Sequence, residues 1–134
     1  MIDDEPDVLL LCRVNLQLAG HEVLEAANGR AGLELARTIE PDVVVLDIML
    51  PNLDGLTVLQ ELASSEATRH IPVIMLTAKT QLEDRRKAWR AGCVEYLTKP
   101  FSPIELVELV GRAGGMSSEE RSERRQRALA SLGA

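Results

Sequence analysis

Two short apolar runs, each closed by a polar residue, constrain this chain more than any other feature. Val43-Val44-Val45-Leu46 ends at Asp47, and Val73-Ile74-Met75-Leu76 ends at Thr77. Neither run alternates with polar residues, so each reads as a strand buried on both faces, the habit of parallel sheets with helices on either side. Segments with helical spacing of apolar residues separate the runs, and that alternation points to βα units around a parallel sheet. In an open α/β sheet, ligand chemistry collects in the crevice outside the carboxyl ends of the strands. Asp47 and Thr77 fall there, as do Lys99 after Tyr96-Leu97-Thr98 and Asp3-Asp4 after Met1-Ile2.

The remaining elements follow from local chemistry. Pro6 suits a first helical turn, because it lacks the N–H that is orphaned there. That helix is expected to run to about Leu18 and stop at Ala19-Gly20. His21–Ala26 reads as a short strand, Asn28-Gly29 as a turn and Arg30–Thr38 as a helix. Pro41-Asp42 leads into a strand over 43–46, and Asp54 caps a helix over 55–63. A second buried strand is expected over 71–77, a helix over 81–91 ending at Gly92, and a short strand over 95–98. Ser102 caps a further helix from Pro103 to about Arg112, with Trp89 packed beneath it. Gly114-Gly115 marks the end of the compact domain, so residues 1–113 form one unit and 114–134 a charged tail. Ser117 and Glu120 offer a capping box for that tail. Glu120–Arg124 and Glu123–Arg127 have favourable i,i+4 spacing, and the tail arginines are expected on a solvated helix surface.

Composition narrows the function classes. A chain of 134 residues, 46% hydrophobic and 27% charged, is a single soluble domain by size and make-up. No apolar stretch approaches the roughly 20 residues of a membrane span, and the acidic start is not a basic signal sequence. Cys12 and Cys93 lie apart in apolar segments and read as buried free thiols, which fits a reducing cytoplasm. His21 and His70 have no companions at ligand spacing. The net charge of −6 argues against nucleic acid as a direct partner.

At the strand ends, Asp47 is the best nucleophile, since a carboxylate can take a phosphoryl group as an acyl phosphate. Crowding Asp3, Asp4 and Asp47 into one crevice needs a counter-charge. Mg²⁺ fits, because it accepts a few carboxylates and completes its octahedron with water and phosphate oxygens. Lys99 adds a positive charge against phosphoryl oxygens, and the Thr77 hydroxyl donates to one of them.

These pieces together resemble the receiver domain of two-component response regulators. The resemblance rests on Ile2-Asp3-Asp4-Glu5-Pro6, Val45-Leu46-Asp47-Ile48-Met49-Leu50-Pro51, Asp54-Gly55, Met75-Leu76-Thr77-Ala78-Lys79 and Tyr96-Leu97-Thr98-Lys99-Pro100-Phe101. Any one piece is weak; all five in this order are specific. Phe101-Ser102-Pro103-Ile104-Glu105-Leu106 looks most like receivers that precede winged-helix DNA-binding domains.

The resemblance implies a flavodoxin-like, doubly wound parallel sheet of strand order 2-1-3-4-5. It also implies phosphorylation of Asp47 by a sensor histidine kinase or phosphotransfer protein, with no turnover of an external substrate. Asp4, Asp47 and the Met49 backbone carbonyl would bind Mg²⁺ directly, and Asp3 through water. Thr77, Lys99 and Tyr96 would read the phosphate, Met49 and Lys79 would tune its hydrolysis, and the Lys99–Pro100 bond would be cis. The basic stripe Arg85, Arg86, Lys87 and Arg90 faces Glu105 and Glu108, either as solvated surfaces or as a homodimer contact through the 81–112 face.

One departure stands out. Receivers supply about five apolar residues before the acidic pair, and here only Met1 and Ile2 precede Asp3. A shortened start, a two-residue stub that suffices, or another segment or chain filling the gap would each account for it. Two other functions stay open. One is a pseudo-receiver that keeps the fold without taking phosphate. The other is a metal-dependent phosphohydrolase, which would want an acid where Met49 stands.

Overall fold

The computed structural model describes residues 1–133. Nine elements follow in order: α1 (Pro6–Leu18), α2 (Gly29–Ile39), β1 (Val44–Leu46), α3 (Gly55–Ser64), β2 (Val73–Thr77), α4 (Leu82–Ala91), β3 (Glu95–Thr98), α5 (Pro103–Gly114) and α6 (Ser118–Ser131). The strands form a parallel sheet in the order β1-β2-β3. Their side chains alternate between two cores, as period-two geometry requires. Val44, Leu46, Val73 and Met75 join the core containing Leu33 of α2 and Leu59 of α3, while Val45, Ile74 and Leu76 join Cys12 of α1 and Leu106 of α5. Helices therefore cover both faces. None of the described helices is long and apolar enough to cross a membrane.

The caps explain where the helices begin. Asn28, Asp54 and Ser102 each accept from a backbone N–H three residues on, at 2.8, 3.0 and 3.5 Å, satisfying donors that the first turn orphans. Gly92 ends α4 at φ +109°, a conformation that glycine adopts without steric cost.

The amino-terminal side departs from expectation. His21–Ala26 forms no strand; residues 21–25 have no regular structure and only Ala26 pairs, through a bridge to Ile2. Ile2 bridges Leu46 on its other side, again in parallel. The stub makes four backbone bonds: Ile2 to Val45 O (2.8 Å), Asp47 to Ile2 O (3.0 Å), Ala26 to Met1 O (2.9 Å) and Asp3 to Ala26 O (3.0 Å). The spatial order is thus the doubly wound 2-1-3-4-5, with its first two members reduced to single bridges. A strand over 21–26 would need pairing along its length, and among the described residues only Ile2 bridges it.

Smaller corrections concern the ends of elements and the tail. β2 begins at Val73 instead of residue 71, because Pro72 has no N–H to give the ladder. α5 runs through Gly114, two residues past Arg112. The capping box of Ser117 and Glu120 forms, and Arg125 and Arg127 are exposed as expected, but Arg121 and Arg124 turn to the body of the domain. Arg121 donates to the carbonyls of His70 (2.7 Å) and Arg69 (3.0 Å). Arg124 pairs with Glu95 and donates to Val94 O at 3.2 Å, so the expected Glu120–Arg124 pair yields to a tertiary one. Arg86 closes the far end on Leu132 O at 2.6 Å. Ala128, Leu129 and Leu132 pack on the core that holds Trp89, which places Trp89 opposite the α5 core and not under that helix.

Candidate functional site

Each acid in the cleft is placed by a strand end or by a turn immediately after one. Asp47 leaves β1 3% exposed, and its Oδ1 accepts from Met49 N–H at 3.0 Å. Gly55 is what lets this loop close: a Cβ there would collide with the Asp47 carbonyl oxygen. Asp3 follows the stub and is 1% exposed, its Oδ1 accepting from Glu5 N–H at 3.0 Å. Asp4 and Glu5 are exposed at the rim. Carboxylate oxygens of Asp3, Asp4, Glu5 and Asp47 all lie within 4.8 Å of one another.

Lys99, delivered by the end of β3 and the cis Lys99–Pro100 bond, reaches into this group. Its Nζ lies 2.9 Å from Asp47 Oδ2, 2.9 Å from Asp3 Oδ2 and 2.6 Å from Glu5 Oε1. The approach to Asp3 Oδ2 is off the hydrogen-bonding direction, so that buried oxygen has a charge beside it but no hydrogen bond. Burial alone would lower the Lys99 ammonium, yet contacts with Glu5, Asp47 and Asp3 outweigh it and raise its pKa above the ordinary lysine value. Burial pushes the Asp3 carboxyl up, against the Glu5 N–H and Lys99, which draw it down.

Thr77, fully buried, ends β2, and its hydroxyl oxygen accepts from Lys79 N–H at 3.3 Å. Tyr96 turns outward: its hydroxyl donates to Lys79 O at 2.7 Å, and the Arg85 guanidinium lies 5.4 Å from the ring centroid, a cation–π distance. Met49 is 54% exposed, and its carbonyl accepts no hydrogen bond among the described residues.

The residues fit a hard divalent cation. All the donors are oxygens, one of them is buried without a hydrogen bond, and a single ammonium faces four carboxyl groups. Asp3, Asp4, Asp47 and Lys99 thus come together as the sequence indicates. Glu5 joins them, a residue the sequence placed in the acidic cluster without assigning it a role, on the signal of its place directly after the acidic pair.

The chain matches the response regulator receiver domain family over residues 1–111 and belongs to that family; it is a receiver domain of the two-component type. It is 44% identical over 110 residues to the DNA-binding dual master transcriptional regulator RpaA of Synechocystis, covering 82% of this chain and 46% of that protein. It is 38% identical to Protein PilH of Pseudomonas aeruginosa, covering 82% of this chain and 91% of PilH. The chain therefore spans less than half the length of RpaA but nearly all of PilH. Among solved structures, the receiver domain of sensor histidine kinase PA1611 from Pseudomonas aeruginosa superposes with a TM-score of 0.79 at 31% identity, over 86% of this chain and 94% of that one. That domain carries a magnesium ion coordinated in its active-site cleft.

Proposed function

We propose that Asp47 is the phosphoacceptor of this receiver and that Lys99 and Thr77 read its phosphorylation. A carboxylate oxygen of Asp47 attacks phosphorus on a phosphohistidine of a kinase or phosphotransfer protein. The P–N bond breaks, and the imidazole leaves with a proton from solvent. Asp4, Asp47 and the Met49 carbonyl would hold Mg²⁺, with Asp3 acting through water; the ion neutralises charge on the transferring group. Lys99 is positioned to move from carboxylate to phosphoryl oxygen, because its present partners already surround the reacting carboxylate. Thr77, whose side chain donates no hydrogen bond among the described residues, has its hydroxyl proton free for the same group.

Engagement of Thr77 would vacate the space beside β2 into which Tyr96 can turn, reshaping the face built from α4, β3 and α5. A swing from 1:99 to 99:1 takes about 5.5 kcal/mol of differential stabilisation, and charge-assisted contacts of this kind are strong enough to contribute much of it. Met49 and Lys79 flank the cleft and offer no acid or amide to position water, so the phosphorylated form should be long-lived.

The observation that carries this reading is the ammonium of Lys99 within 2.9 Å of both Asp3 and Asp47, residues delivered by the ends of β3 and β1 and by the bridged amino-terminal stub. Intact mass after treatment with acetyl phosphate and Mg²⁺ tests it. One phosphoryl group gained by the wild type and absent from Asp47→Ala is expected. No gain in either would make the domain a pseudo-receiver, and steady release of phosphate from small esters would make it a hydrolase.

A further inference from the structure

At the edge of the sheet opposite Asp47, α6 passes the amino ends of β2 and β3. A cavity of about 210 Å³ opens there, floored by Leu59, Val73 and Cys93 and walled by Arg69, Arg121 and Arg125. None of the residues lining it is acidic, in a chain whose net charge is −6.

Helical spacing gathers the positive wall. Ser118, Arg121, Ser122 and Arg125 stand at i, i+3, i+4 and i+7, a single face of α6, and all four line the cavity. Glu119, Glu120 and Glu123 fall off that face, and Arg124 is engaged by Glu95. The facing turn is held rigidly: Arg69 N–H donates to Ser65 O (2.8 Å), Ile71 N–H to Thr68 O (2.9 Å) and the buried Thr68 hydroxyl to Leu62 O (2.8 Å). Arg121 clasps the carbonyls of Arg69 and His70, which leaves part of its donor fork free. The guanidinium groups of Arg69 and Arg125 and the hydroxyls of Ser118 and Ser122 make no hydrogen bond or ion pair among the described residues.

Arginine keeps its charge at every accessible pH, so three around one cavity repel with no titration to relieve them. An anion relieves them. A phosphate group fits best, because its oxygens take paired N–H bonds from guanidinium forks and single bonds from hydroxyls. The apolar floor suits a short carbon skeleton, and the volume falls below the roughly 300 Å³ at which drug-sized pockets begin. We infer that this cavity binds a small phosphate-bearing anion, held by Arg69 from the body of the domain and by Arg121 and Arg125 from α6. Occupancy then fastens the helix to the domain. Nothing in this site depends on phosphate chemistry at Asp47.

Inorganic phosphate and glycerol phosphate, titrated into the millimolar range with the full chain in the absence of Mg²⁺, are the probes. Sodium chloride at matched ionic strength is the control. Saturable slowing of hydrogen exchange at α6 amides is expected, with a Tm that rises with ligand concentration. Arg69→Gln and Arg125→Gln remove exposed side chains that pair with nothing among the described residues, so both variants fold. Each should weaken phosphate binding about tenfold or more, since each removes a charge-assisted contact. Equal protection by chloride overturns the proposal, as does undiminished binding by either variant. Protection confined to the acidic cleft overturns it too, and so does binding only to vesicles containing phosphatidic acid with none to the free phosphates.

Discussion

The two sides of the sheet are built unequally. Toward β3, pairing runs over consecutive residues, Val44 to Leu46 against Val73 to Met75 and Ile74 to Thr77 against Glu95 to Thr98. Toward the amino terminus, Ile2 alone bridges its two neighbours. Yet each side delivers a nearly buried aspartate to one cleft, Asp47 from the first and Asp3 from the second. Aiming a side chain takes only a pinned last residue; resisting unfolding takes length.

The largest expected effect tests what joins the sides. Lys99→Met leaves Asp3 and Asp47 without their ammonium partner, and losing one member of such a buried group costs about 3–5 kcal/mol, measurable by urea unfolding at pH 7. Because the Lys99 pKa is raised in the fold, its contribution is complete below the free lysine value of 10.5 and is lost as pH climbs from there through the folded value. The gap between wild type and variant should close over that alkaline range. Asp3, whose carboxyl burial also pushes up, depends on pH in the same direction, its contribution present in acid and lost as pH rises through its folded value. Removing Lys99 takes away a contact that draws this carboxyl down, so protonation relieves the variant more than the wild type and acidification should also narrow the gap.

Next comes a direct comparison of the sides. Ile74→Ala, at a fully buried position of β2, should cost about 3 kcal/mol. Ile2→Ala, at a buried residue that joins the sheet only through single bridges, should cost about 2 kcal/mol. Only Ile2→Ala should weaken Mg²⁺ binding by titration. Equal costs with unchanged Mg²⁺ affinity would erase the distinction.

Arg124→Ala should cost about 1 kcal/mol, a modest figure for a pair one-third exposed on the arginine side. Faster amide exchange confined to α6 would show it. The smallest effect concerns the thiols. Burial pushes Cys12 up to about 12 and raises Cys93 as well, so neither should react with a thiol reagent at pH 8 in the native state. In mild urea Cys12, on the weakly paired side, should label before Cys93.

Asp47 and Thr77 were legible because each closes an unbroken apolar run of strand length, and Lys99 because it follows the short strand signal Tyr96-Leu97-Thr98. The acidic pair was legible in kind, but its placement depended on whether Met1-Ile2 could pair on both sides at once, a matter of three-dimensional spacing. His21–Ala26 has strand composition, and composition does not reveal that only its last residue pairs. The docking of α6 was hidden for another reason: Arg121 and Arg86 bind backbone carbonyls, which every residue possesses, so no pattern of side chains announces them. The Glu120–Arg124 spacing was read correctly as favourable, but Glu95 offered Arg124 a less exposed carboxylate.

If phosphorylation reshapes the face of α4, β3 and α5 as proposed, the seat of α6 across α4 and the first residues of β3 would make the helix a standing competitor for part of it. Held by the short Gly115-Met116-Ser117 connection, it presents itself at an effective concentration on the order of millimolar. A partner seeking that ground must outbid a neighbour that never diffuses away. The grip of Arg124 and Arg86 would then set the dose of partner needed for a response, a threshold adjustable by loop length without touching the acidic cleft.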